Sequence, residues 1–139
     1  MLHARPLLAL AGLMLIAGAT SAPAQEEMSP TPAVPVYFPL GSARVPPEEI
    51  AKLDRAVRIF RDGDWLVLEL AGATDTTGDG DGNLALSVAR ALAVARGLQA
   101  RGVAPEQIQL IARGESEPTV PTPDGTPEPE NRVVEITWR

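Results

Sequence analysis

The chain has 139 residues, more acidic than basic side chains (18 against 12, formal net charge −6, pI about 4.7), one histidine and no cysteine. That length suffices for one small domain with one core, and the acidity repels phosphate backbones, so no nucleic-acid partner is expected. Without cysteine, these residues offer no disulfide, no thiolate metal site, no cysteine nucleophile and no acylated cysteine anchor.

The chain starts with a short basic stretch, Met1 to Arg5, followed by an almost unbroken apolar run over residues 6–19. Small residues at Ala22 and Ala24 suit a signal peptidase, so residues 1–24 are expected to be a secretory signal peptide cleaved after Ala24. The apolar run is shorter than the roughly 18–20 residues that span a bilayer, and Gly12 and Gly18 interrupt it. The leader is therefore not expected to remain as a membrane anchor, and no transmembrane segment is expected in the mature chain. Cleavage removes Arg5 and the only histidine, His3, leaving the chain one unit more acidic and without a Ser-His pair or histidine metal ligand. No metal or cofactor is expected.

Residues 25–35 contain prolines and glutamates with no apolar period and predict an extended tether. Val36-Tyr37-Phe38, stopped by Pro39, predicts a first strand at a sheet edge. Pro46-Pro47-Glu48-Glu49 is a helix start, with prolines in the first turn and carboxylates at the positive end of the helix dipole. Ile50, Leu53, Val57 and Phe60 then repeat as one apolar stripe. Residues 65–71 alternate as a strand, Leu66, Leu68 and Leu70 on one face and Trp65, Val67 and Glu69 on the other. A second helix is expected over residues 83–101, with Leu84, Val88, Ala91, Ala95 and Leu98 facing the core. Gly97 is a weak point inside it, and Gly102 caps it. Residues 108–112 predict a third strand, 117–130 a Pro-rich mobile loop, and 132–138 a last strand with Val134, Ile136 and Trp138 on one face. The result is an α+β sandwich of βαβαββ order, two helices packed on a four-stranded mixed sheet.

The chemistry collects between the second strand and second helix. Asp75 follows the strand's end, a Gly-rich turn follows it, and Asn83, Ser87 and Arg90 share one helical face. Ligands of such sheets bind beyond the carboxyl ends of strands. A guanidinium grips a carboxylate through paired charge-assisted hydrogen bonds, and an opposing carboxylate holds an ammonium. The pair Asp75 and Arg90 would thus read a zwitterionic ligand. The alternative is that they pair with each other at the surface, worth about 0–1 kcal/mol. A calcium loop starting at Asp79 fails, because its sixth position is Leu84 and its twelfth, where a bidentate glutamate belongs, is Arg90.

Four segments, Gly72-Ala73-Thr74-Asp75, residues 83–91, Gly114-Glu115-Ser116-Glu117-Pro118 and residues 131–136, resemble the OmpA-like (OmpA/MotB) C-terminal domain in order and spacing. The resemblance spans residues 36–139. It implies a periplasmic, non-enzymatic domain, associated with the outer membrane, that binds peptidoglycan non-covalently through diaminopimelate of the stem peptide. It assigns the ligand's amino and carboxylate groups to Asp75 and Arg90, with Asn83, Thr74 and Arg132 in support. Other envelope proteins are further partners that the resemblance suggests. Two positions depart from the family pattern: Ala73 stands where the family usually has histidine, and Val133 where it has arginine. These departures leave open a degraded wall site that serves protein interaction instead. A hydrolase using Asp75 with Glu115 is the third reading.

Overall fold

The computed structural model describes residues 32–139, so the expected leader and most of the tether lie outside the described residues. Six main elements follow in order: β1 (Ala33–Tyr37), α1 (Ile50–Asp62), β2 (Leu68–Ala73), α2 (Gly80–Ala100), β3 (Ile108–Gly114) and β4 (Val133–Trp138). The strands form one sheet in the order β1-β4-β2-β3, with β2 and β3 parallel and the other pairs antiparallel. Two helices on a four-stranded mixed sheet is the architecture expected from the sequence.

Strand β1 starts at Ala33, three residues before the expected start. Pro35 is no obstacle, because β1 is an edge strand and needs ladder donors on one side only. On the open side, the Tyr37 N–H donates to Glu49 Oε2 at 2.9 Å, which blunts that edge with a side chain. Prolines bring the chain into α1 as expected, through a single 3-10 turn at Pro47–Glu49. Leu53, Ala56, Val57 and Phe60 are the buried face of α1, whereas Ile50 is largely exposed.

Helix α2 begins three residues before its expected start. The Asp79 side chain accepts from the Gly82 N–H at 2.7 Å and caps it, so the glycines of the turn become its first residues. Its rotation also differs from the expected one. The buried residues are Asn83, Ser87, Arg90, Ala91, Val94, Ala95 and Leu98, while Leu84 and Val88 face outward at 48% and 40% exposure. The helix carries small or apolar residues on two faces, so hydrophobic spacing alone could not choose between them. Close approach decides. A Cβ on Gly72 would lie 2.3 Å from the Ser87 carbonyl oxygen, so β2 and the polar face of α2 meet backbone to backbone. Gly97 plays a similar part on α1, since a Cβ there would lie 2.6 Å from Leu53 Cδ1. The expected weak point is thus a place where α2 has room for a side chain of α1.

The core under both helices joins Val34, Val36, Leu68, Leu70, Val134, Ile136 and Trp138 of the sheet to the apolar faces of α1 and α2. Val134, Ile136 and Trp138 point inward as their spacing predicts. Glu69 is buried on the opposite face and pairs with Arg139 at 3.0 Å.

Candidate functional site

Beyond Ala73, the last residue of β2, the chain turns through Thr74, Asp75 and Thr76, all buried. Asp75 has only 2% of its surface exposed, and its carboxylate is fully engaged. Oδ1 accepts from the Thr77 N–H at 3.2 Å and from the Thr77 hydroxyl. Oδ2 accepts from the Glu128 N–H at 3.2 Å and from Arg132 Nη1 at 3.1 Å. Burial pushes this carboxyl up, but the bonds from Thr77, Arg132 and the Glu128 backbone outweigh it and hold Asp75 below its ordinary value.

Arg90 reaches the same turn from α2 and is completely buried. Its guanidinium spans three backbone carbonyls: Nε donates to Ser42 at 2.8 Å, Nη1 to Ala73 at 3.0 Å and Nη2 to Pro39 at 3.1 Å. It also lies over the Phe38 ring, 5.4 Å from the centroid. Burial lowers its pKa to about 10; Asp75 opposes that shift and Arg132 adds to it. Arg90 is therefore cationic at neutral pH. Three bonds leave two of the five guanidinium N–H groups uncommitted. No carboxylate among the described residues pairs with it, for Asp75 forms its ion pair with Arg132. The expected alternative of an Asp75–Arg90 surface pair is therefore corrected on both counts: the partner is different and the place is buried.

Asp75 and Arg90 nevertheless face one hollow. A cleft of about 280 Å³ is walled by both of them, by Thr77 and Asn83, and by Leu40 and Gly41 of the β1–α1 connection. Asn83 holds its rim together, its Nδ2 donating to the Thr77 carbonyl and to Glu115 Oε2, each at 2.7 Å. Arg132 lies behind Asp75, its Nε also donating to the Phe38 carbonyl at 3.1 Å. Neither Arg132 nor Thr74 borders the cleft. The Thr74 side chain is buried, and its hydroxyl has no hydrogen-bond partner. What Thr74 contributes is an N–H to the Gly114 carbonyl at 2.8 Å, which ties the turn to β3. Ala73 serves Arg90 through its carbonyl, a contact independent of the side chain at that position.

The Pro-rich loop, expected to be mobile, is fastened to this turn. The Thr76 hydroxyl donates to the Pro123 carbonyl at 2.8 Å and accepts from the Thr126 N–H at 3.0 Å. The Gly125 N–H returns to the Thr76 carbonyl at 2.9 Å. Asn131, fully buried, closes the base of the loop with bonds of 2.8 and 2.7 Å to the Val120 backbone. The loop thereby places the Glu128 N–H on Asp75. The one signal of this in the sequence was a threonine adjacent to the key aspartate.

This arrangement suits recognition better than catalysis. A general acid needs its pKa raised, and the Asp75 carboxyl is held down. Glu115, its imagined hydrolytic partner, is tied to the Asn83 amide. Among the described residues, no group of three or more His, Cys, Asp or Glu is placed to hold a metal, and no helix is long and apolar enough to cross a membrane.

Comparison with known proteins agrees in fold and sequence. The model of the OmpA family matches residues 37–132. The chain is 35% identical over 120 residues to the peptidoglycan-associated lipoprotein of Pseudomonas putida, covering 86% of this chain and 71% of that protein. Its counterpart in Pseudomonas aeruginosa is 37% identical over 101 residues, covering 72% of this chain and 59% of that protein. Among solved structures, the peptidoglycan-associated lipoprotein from Burkholderia pseudomallei superposes with a TM-score of 0.69 at 28% identity, over 76% of this chain and 89% of that one. The C-terminal domain of Helicobacter pylori MotB shares the fold, with a TM-score of 0.65 at 24% identity over 76% of this chain and 83% of that one.

Proposed function

The chain belongs to the OmpA family, and on that premise we propose that it binds peptidoglycan non-covalently in the periplasm, without catalysis, through the diaminopimelate of the stem peptide. One observation carries the reading. Arg90 is a fully buried cation with no carboxylate partner among the described residues and with N–H groups to spare, on the wall of a cleft that Asp75 also lines. Burying an unpaired charge is costly, and a carboxylate entering the cleft would meet it with two charge-assisted hydrogen bonds.

The amino group of the same ligand carbon would then lie toward Asp75. Four hydrogen bonds keep that carboxylate ionised and fixed. Of its donors, the Thr77 hydroxyl turns about a single bond, so it is the one an ammonium would displace. Asn83 and Arg132 act by holding the cleft and Asp75 in place, and Thr74 acts through its backbone. Names of relatives support the wall as target, since two of them are peptidoglycan-associated lipoproteins. The proposal includes a place in the envelope, in association with the outer membrane, and a contribution to envelope integrity.

A variant-free experiment tests the chemistry. Wall sacculi cross-linked through diaminopimelate should retain the protein, while walls carrying lysine at that position, which lacks the second carboxylate, should retain it about tenfold less or worse. Asp75→Ala should lose most of the retention as well, with circular dichroism to show that it is folded. Equal retention by both walls would remove diaminopimelate from the proposal, and unchanged retention of Asp75→Ala would remove the site.

A second reading, a protein-interaction module, draws on the outward stripe of Leu84, Val88 and Leu92 along α2. Loss of wall retention in the wild-type chain would turn the assignment to that face.

A further inference from the structure

We propose that the cavity on the far side of Arg132 is a second subsite, which takes a saccharide ring of the wall polymer; this rests on the peptidoglycan reading above. The cavity encloses about 540 Å³, within the roughly 300–1,000 Å³ of small-molecule sites and larger than the cleft holding Arg90. Arg132 joins the two hollows. Its Nη1 is bound to Asp75, which walls the cleft, while the Arg132 side chain itself walls the larger cavity. With Nε on the Phe38 carbonyl, three of its five N–H groups remain uncommitted.

The lining selects the ligand class by elimination. Glu48 and Glu130 stand on the cavity wall, and neither is in an ion pair among the described residues, so an anion is repelled. A cation would meet the carboxylates but offers no acceptor to the uncommitted Arg132 N–H groups. A neutral ring bearing hydroxyls suits both, because each hydroxyl donates to a carboxylate and accepts from a guanidinium. Its C–H faces have matching apolar surfaces in Pro39, Pro129 and the half-exposed Tyr37 ring. That ring is already held: the Lys52 ammonium sits 4.8 Å from its centroid, and Lys52 is itself bound to Glu49 at 2.6 Å. A platform fixed before the ligand arrives loses little freedom on binding. Peptide in one hollow and sugar in the next is the order in which a wall fragment presents them, since its stem peptide is covalently attached to a glycan.

Isothermal titration of the full chain with two soluble probes tests this. One is a disaccharide muropeptide containing diaminopimelate, the other the same stem peptide freed of its sugars. The disaccharide form should bind about tenfold tighter, equivalent to a net hydrogen bond or two. The double variant Glu48→Ala/Glu130→Ala, both exposed positions, should erase that difference and leave the affinity for the sugar-free peptide unchanged. Equal affinity of the wild-type chain for both probes overturns the subsite and leaves the peptide cleft standing. A double variant that keeps the full preference for the disaccharide also overturns it. Failure of the wild-type chain to bind either probe removes the peptidoglycan reading and the subsite with it.

Discussion

The two halves of α2 bury the same side of one helix for opposite purposes. In the first half the inward residues are Asn83, Ser87 and Arg90, and each bonds to backbone, Asn83 to the Glu115 carboxylate as well: Ser87 Oγ donates to the Leu84 carbonyl and accepts from the Gly114 N–H. In the second half they are Val94, Ala95 and Leu98, which join the core. The first half lies over the carboxyl end of β2, where strands stop and carbonyls are left without ladder partners; the second lies over continuous sheet and α1. Position along the sheet, not helix character, decides which half recognises and which half supports.

Exchanging chemistry at one position in each half should separate affinity from stability. The largest effect is expected for Arg90→Lys, which keeps the charge but loses the planar fork and its three carbonyl contacts. Wall affinity should fall about 100-fold, the equivalent of one strong charge-assisted hydrogen bond, read by co-sedimentation with diaminopimelate-type sacculi. Leu98→Ala, two turns on, should cost about 2–5 kcal/mol in urea unfolding, while the folded protein keeps its affinity. If Leu98→Ala weakened wall binding as much as Arg90→Lys, the division within the helix would not hold.

Titration sharpens the same contrast. Arg90 loses its proton as pH rises through about 10, and retention on the wall should decline there. Its folded pKa lies below the ordinary guanidinium range, so between the folded and unfolded values the unfolded chain binds more protons. The contribution of this group to stability therefore rises with pH in that window while binding falls. Asp75 behaves as a depressed carboxylate: its contribution is complete above the ordinary value of 3.8 and is lost as pH falls through its lower folded value. Sedimentation and urea melts run side by side across both windows check the signs.

The smallest expected effect concerns the loop clasp. Thr76→Val removes bonds to Pro123 and Thr126 without touching the cleft. It should weaken wall binding by several fold, in line with about 0.5–1.5 kcal/mol for a net hydrogen bond, and should raise hydrogen exchange at the Glu128 amide.

The sequence made the element order legible, because β1, α1, β2 and β4 carry clear periods and Pro or Gly stops. It also brought Asp75 and Arg90 to one place, since a strand end and the second turn of the next helix cannot be far apart. The rotation of α2 was hidden: Leu84 and Val88 compete with Ala91 and Val94 for the core, and only the contact of Gly72 with Ser87 settles the matter. The pairing of Asp75 with Arg132 joins residues 57 apart and is not legible in the sequence; the resemblance names Arg132 only as a supporting ligand residue. Loop residues 117–130 carry no signal of their anchoring in the sequence, because their partners are carbonyls and amides, which leave no mark in a side-chain pattern. Thr74 shows the converse: a polar side chain beside the key residue looks functional in the sequence, whereas the contact it makes is through its backbone N–H.

The grip of Arg90 on Pro39 and Ser42, residues 51 and 48 positions earlier in the chain, ties ligand capture to the integrity of the whole domain. A nascent molecule in which the first strand has not yet docked has no finished cleft, because the same carbonyls that aim the guanidinium are missing. On the proposed function, attachment to the wall is thereby reserved for molecules that have completed folding.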